Sequence, residues 1–191
     1  EIHERLVGSE MCIRDSPEGA SVIPKSQFFG CRSLEKLHLP ESVSVIEDYA
    51  FADCNVLKVW ESIEKLSLKS VGISAFENCY ALEFISLPDS LTVIEGAAFA
   101  GCVSVNKLIF SDTSLVKKIG DHAFRGCRNL KEVYLPDSVE YVGISAFRDC
   151  VSLEQISVSE KIKDQPGITE LEKNCPNARI RFREVNSVEK E

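Results

Sequence analysis

The sequence predicts an α/β repeat fold: a solenoid of about six stacked coils closed by a C-terminal cap. It should have a parallel sheet on the concave face and short helical or 3-10 turns. Two observations carry this reading. Phe28, Phe51, Phe76, Phe99, Phe124 and Phe147 each stand three residues before Cys31, Cys54, Cys79, Cys102, Cys127 and Cys150. Those cysteines follow one another at alternating spacings of 23 and 25 residues, and Cys175 continues the series with Glu172 in place of the Phe. A period in this range marks a stacked array in which no unit can bury its apolar side alone.

The elements follow in chain order. Residues 1–16 are set aside. Leu6 to Asp15 reads LVGSEMCIRD, a string that resembles a translated transposase-type sequencing-library adapter; the alternative is a natural, disordered N-terminal arm. The array is expected over 17–163. Each unit, aligned on its cysteine, places an aliphatic residue eight positions before it (Ile23, Ile46, Val71, Ile94, Ile119, Val142) and, in all units but the first, Ala four before it. After the cysteine, apolar residues stand at the third and sixth positions and, Ser62 of the second unit excepted, at the eighth. The sixth and eighth alternate inward, which is strand spacing, and one such strand per coil stacks into a parallel sheet. The A-F-x-x-C segment has spacings of three and four, which suits a short helical or 3-10 turn with Phe and Cys turned inward. Ala beside the Phe leaves room for the next coil.

Leu39-Pro40-Glu41-Ser42, Leu87-Pro88-Asp89-Ser90 and Leu135-Pro136-Asp137-Ser138 recur every 48 residues. Proline has no N–H to donate, so it ends the strand ladder, and the acid and Ser favour a turn. The intervening units lack this Pro. One of them is ambiguous, because Trp60 or the set Ile63, Leu66 and Leu68 could supply its strand. The cap is expected over 164–182: Pro166-Gly167 breaks the pattern, Ile168 to Asn174 suits a short helix, and Ala178, Ile180 and Phe182 alternate like a closing strand. Residues 183–191 read as a polar tail.

The motif Ile94-x-x-x-Ala98-Phe99-x-x-Cys102, with Leu130-x-x-Val133-x-Leu135-Pro136 in a neighbouring unit, resembles the BspA-like leucine-rich repeats over about Ser21 to Val158. Pro stands here where commoner leucine-rich repeats carry an Asn. The resemblance implies a leucine-rich-repeat solenoid used for adhesion or protein recognition, often on cell surfaces or in secreted proteins. It implies no catalytic residues and no cofactor.

The rest of the chemistry is sparse. A net charge of −8 argues against a phosphate-tracking nucleic-acid surface. No run of about 18 apolar residues is present to span a membrane. Neither a hydrolase elbow, a phosphate loop, a zinc-protease helix nor a dinucleotide fingerprint occurs, so no catalytic residue is named. The cysteines occupy equivalent inward slots, which suits buried free thiols; disulfides between adjacent coils and a metal site are the alternatives, the latter without any C-x-x-C pair to support it.

A partner-binding face is expected from the strand positions that point outward, five and seven after each cysteine. These include Lys36, His38, Phe84, Lys107, Ile109, Glu132 and Tyr134. Phe84, Ile109 and Tyr134, on consecutive coils, should form one exposed apolar patch with a charged rim, the composition of an interaction hot spot. The competing reading is that they pack only on one another across strands. The function expected is protein recognition or adhesion within a larger protein, the alternative being a recruiting arm of an intracellular signalling protein.

Overall fold

A computed structural model describes residues 21–61 and 66–184. The adapter-like segment 1–16, Ile63 and tail residues 185–191 lie outside the described residues. In chain order the strands are β1 (Val22–Ile23), β2 (Lys36–His38), β3 (Val45–Ile46), β4 (Val59–Glu61), β5 (Ser70–Val71), β6 (Phe84–Ser86) and β7 (Val93–Ile94). They continue with β8 (Lys107–Ile109), β9 (Lys118–Ile119), β10 (Glu132–Tyr134), β11 (Tyr141–Val142) and β12 (Gln155–Ser159). Two one-turn helices, α1 (Pro166–Thr169) and α2 (Leu171–Asn174), precede the closing strand β13 (Arg179–Arg183).

The stack is the expected leucine-rich-repeat solenoid, but each coil carries two strands rather than one. The two-residue strands form a continuous parallel sheet in the order β1-β3-β5-β7-β9-β11. Their second residues are the aliphatic column eight before each cysteine, at most 2% exposed. The longer strands, which the sixth and eighth positions indicated, pair in register as Leu37↔Trp60, Ile85↔Leu108 and Val133↔Ile156↔Ile180. They fall into three separate small sheets. The ladder runs where successive strands are 23 or 24 residues apart and stops where they are 25 apart, as from Trp60 to Ile85. The two extra residues lengthen the connection to the next short strand. In the coil after β8 this connection is pinned: Ser111 Oγ and Thr113 Oγ1 both donate to the Asp89 carboxylate of the coil before. The register of the ambiguous unit resolves on Trp60, 2% exposed, while Leu66 and Leu68 are buried in the turn that follows.

The A-F-x-x-C segment is a turn and not a helix. Its N–H groups alternate in destination. Those of Ala50, Ala52 and Cys54 donate to carbonyls three residues back, at 3.2–3.3 Å. Those of Tyr49, Phe51 and Asp53 donate to Ile73, Ala75 and Glu77 of the next coil, at 2.7–2.9 Å. The same three bonds to the following coil recur at every junction from the first coil to the sixth. This alternation needs two left-handed residues per coil. They are Ser26 and Gly30, Tyr49 and Asp53, Ser74 and Asn78, Ala97 and Gly101, His122 and Gly126, and Ser145 and Asp149. The second of each pair, just before the cysteine, is always Gly, Asn or Asp, the residues for which that conformation costs least. In the sixth coil the Glu170 carboxylate, between α1 and α2, accepts from Ser145 N at 3.3 Å.

The core is one column of side chains per position. The six phenylalanines stack with ring centroids 5.1–5.6 Å apart and planes within 16° of parallel. Strands in a sheet lie about 4.8 Å apart, so the rings follow the rise of the coils. A second buried column, eleven before each cysteine, holds Val43, Leu68, Leu91, Val116 and Val139. Close approach of coils fixes certain glycines: a Cβ on Gly120 would lie 2.6 Å from Gly96 N.

Phe99→Ala removes a ring stacked on both sides and should cost about 3–5 kcal/mol. Phe28→Ala removes a half-buried ring stacked on one side and should cost clearly less. Urea denaturation of the two variants, followed by circular dichroism, measures the difference.

Candidate functional site

The expected binding face is carried by the outward residues of β6, β8 and β10. Parallel pairing sets Phe84 beside Lys107 and Ser86 beside Ile109. It likewise sets Glu132 beside Gln155 and Tyr134 beside Ser157. Ile109 and Tyr134 therefore share one column, seven after the cysteine, and are 44% and 53% exposed. Phe84 stands in the neighbouring column with Lys107 and Glu132 and is half-buried, whereas those two are exposed. Lys36 and His38 are exposed on β2, separated from β6 by β4, so they are not part of the same cluster.

Tyr134 has a partner that sequence reasoning missed. The Arg183 guanidinium lies 3.9 Å from the centre of its ring. Arg183 Nη1 donates to the Tyr134 hydroxyl and Nη2 to the Leu135 carbonyl. An ion pair to Asp137 at 3.0 Å completes the clamp. Arg183 closes β13, one residue past the alternation read from Ala178 to Phe182. No local signal links residues 49 positions apart; the link arises because β13 lies only two strands from β10. The clamp holds one side of the Tyr134 ring and leaves about half of the residue exposed. It also bears on the competing reading: Tyr134 packs against the cap rather than only on neighbouring strands.

The cysteine column is a second ordered feature. All seven cysteines from Cys31 to Cys175 are free thiols. From Cys54 onward each Sγ donates to the carbonyl of the Phe one coil earlier, at 3.1–3.5 Å. The slot thus asks for a small, apolar side chain with one weak donor, which is cysteine. Burial pushes the Cys54 and Cys150 thiols up to about 12 and Cys175 to about 11, and raises Cys79, Cys102 and Cys127 strongly. Such thiols are poor nucleophiles and poor metal ligands. Among the described residues no group of three or more His, Cys, Asp or Glu side chains is placed to hold a metal ion. A polar cleft of about 340 Å³ between the sixth coil and the cap is lined by Ser145, Asp149, Glu170 and Lys173, among others. Its Glu170 carboxylate is already engaged by Ser145 and Asn174.

The repeat pattern of the BspA type leucine rich repeat region matches six copies over residues 14–114 and 60–175. The chain belongs to this family. Among solved structures it is similar to a leucine rich repeat protein of T. pallidum, with 26% identity and a TM-score of 0.54 over 88% of this chain and 68% of that one. It is also similar to the pneumococcal vaccine antigen PcpA, with 31% identity and a TM-score of 0.62 over 66% of this chain and 31% of that one. A leucine rich cell surface protein of Faecalibacterium prausnitzii A2-165 shares the fold, with 21% identity and a TM-score of 0.57 over 90% of this chain and 59% of that one. The chain thus spans between about a third and two thirds of the length of these proteins. No curated protein matches it. No helix among the described residues is long and apolar enough to cross a membrane.

The thiols give a pH prediction. Each thiol from Cys54 to Cys175 titrates higher in the folded array than in the unfolded chain, whose value is near the ordinary 9.0. Their contribution to stability is whole below pH 9 and is lost as pH rises from 9 towards 12, because the unfolded chain gives up its thiol protons first. The limiting loss is about 1.4 kcal/mol per pH unit for each buried thiol. Urea midpoints at pH 8 and pH 10.5 should fall with rising pH, and less steeply in Cys102→Ala than in the parent chain.

Proposed function

We propose that this array is a non-enzymatic protein-recognition or adhesion module of a longer protein, binding through the outward face of β6, β8 and β10. The observation that carries this reading is the exposed pair Ile109 and Tyr134, with Phe84 and Lys107 beside it and Arg183 bracing the tyrosine. Large apolar side chains held rigidly at the surface and rimmed by charge lose little entropy on binding, which is what makes an anchor effective. Lys107 and Glu132 set the register of a partner, and Lys36 and His38 extend the contact along the array for a long one. No side-chain constellation found among the described residues suits catalysis, which favours binding as the role.

Setting is part of the proposal. The pneumococcal relative, 31% identical over its matched part, is a vaccine antigen, and this supports a surface or secreted location. The free cysteine column favours a second reading, a recruiting arm inside the cell, because thiols persist in reducing compartments. The hydrogen-bonded burial of those thiols weakens that argument, since it protects them wherever the protein resides.

A Phe84→Ala, Ile109→Ala, Tyr134→Ala triple variant tests the face. It should keep the circular dichroism spectrum of the parent and lose at least tenfold in capture of its partner, scored by quantitative mass spectrometry against the parent chain. A Lys36→Ala, His38→Ala variant should lose less. Undiminished capture by a folded triple variant would show that binding resides elsewhere.

A further inference from the structure

We propose that β13 is an open pairing edge that takes up an extended, acidic segment of a partner protein as an additional strand. The proposal concerns the far edge of the β10-β12-β13 sheet and does not depend on a partner binding the β6–β10 face. β13 pairs with β12 on one side, and among the described residues no strand lies on the other. These two strands are five residues long, whereas the others have two or three. Arg179 N donates to Glu154 O of the sixth coil. Backbone groups of a strand alternate in side, so the N–H and C=O of Ile180 and Phe182 face the open edge. Those four groups are what an added strand would use.

The side chains of β13 sort into two rows. Ile180 and Phe182 continue the inward columns, in register with Ile156 and Val158. Among the described residues no coil covers them, and Phe182 is 47% exposed. They offer an apolar step for alternate residues of an incoming strand. Arg179, Arg181 and Arg183 form the other row. Arg183 is spent on Tyr134, Leu135 and Asp137. Arg179 and Arg181 are exposed and make no side-chain hydrogen bond or ion pair among the described residues. The exposed acids around this row are Glu132 on β10, Glu154 before β12 and Glu184 just past β13.

Charge selects the occupant. In a chain of net charge −8 this strand carries three arginines and no acid. A second copy of the same edge would bring arginine against arginine and be repelled, so the row guards against self-pairing. An extended segment that alternates acidic and apolar residues would meet Arg179 and Arg181 with one row and Ile180 and Phe182 with the other. A sulfated polysaccharide would answer the arginines but leave the apolar step and the backbone groups unused.

The probe is a fluorescein-labelled, capped peptide, Gly-Glu-Val-Asp-Val-Glu-Gly, with a Lys-for-acid counterpart, titrated with the 191-residue chain and read by fluorescence polarisation at low salt. The acidic peptide should bind at least tenfold more tightly than its counterpart, and binding should weaken as salt rises. N-methylation at one alternate set of its residues should abolish binding, and at the other set should spare it. Arg179→Glu with Arg181→Glu, folded by circular dichroism, should lose binding at least tenfold, while a Phe84→Ala, Ile109→Ala variant, which leaves the Arg183 clamp on Tyr134 intact, should bind as the parent does. The proposal is overturned if both peptides bind alike or neither binds. It is overturned too if binding ignores N-methylation, or if it appears only after residues 185–191 are removed, which would assign the edge to the chain's own tail.

Discussion

The fold depends on the way the A-F-x-x-C turn divides its backbone donors. Half of its N–H groups close the turn on itself and half reach to the next coil. A helix would spend them all internally and leave nothing to join the coils; a strand would not turn the corner. The two left-handed residues per coil make the division possible, and the Phe above each bond sits on the Phe of the neighbouring coil at 5.1–5.6 Å. The cysteine thiol adds one more bond across the same junction. Stacking, hydrogen bonding and turn geometry thus act at one place in the coil. The strands on either side are short because most of the cohesion between coils lies in the turns and in the columns behind them.

This arrangement explains which parts of the structure were legible. The Phe and Cys ladder, the aliphatic column before the cysteine and the strand at the sixth position are each a repeated residue type, so alignment of the units exposes them. The column just before the cysteine carries a signature that went unread: Gly30, Asp53, Asn78, Gly101, Gly126 and Asp149 are all residue types that favour a left-handed position. The partner position, Ser26, Tyr49, Ser74, Ala97, His122 and Ser145, has no such signature, because hydrogen bonds on both sides impose its conformation rather than any preference of the residue. The two-residue strands escaped notice for a related reason. A strand with one inward residue per coil has no alternation to read.

The candidate face shows the same division. Outward orientation at the fifth and seventh positions follows from strand alternation, and the structure places Ile109 and Tyr134 outward as that rule requires. What the rule does not contain is the phase of the 23- and 25-residue steps, which interrupts the ladder between β8 and β10. Nor does it contain the clamp of Arg183 on Tyr134, a contact made only because the capping strand returns beside the array. The surface that presents a partner with a fixed aromatic ring is thus a joint product of the repeat and its cap.

Amide hydrogen exchange, resolved residue by residue, tests the central claim most directly. If the turn donors hold the coils together, the amides of Tyr49, Phe51, Asp53, Ser74, Phe76, Asn78, Ala97, Phe99 and Gly101 will exchange as slowly as those of the strands, and only with unfolding of the array. Exchange of these amides at the rates of ordinary surface turns, with the strand amides still protected, would contradict the account and move the cohesion of the stack to its sheets.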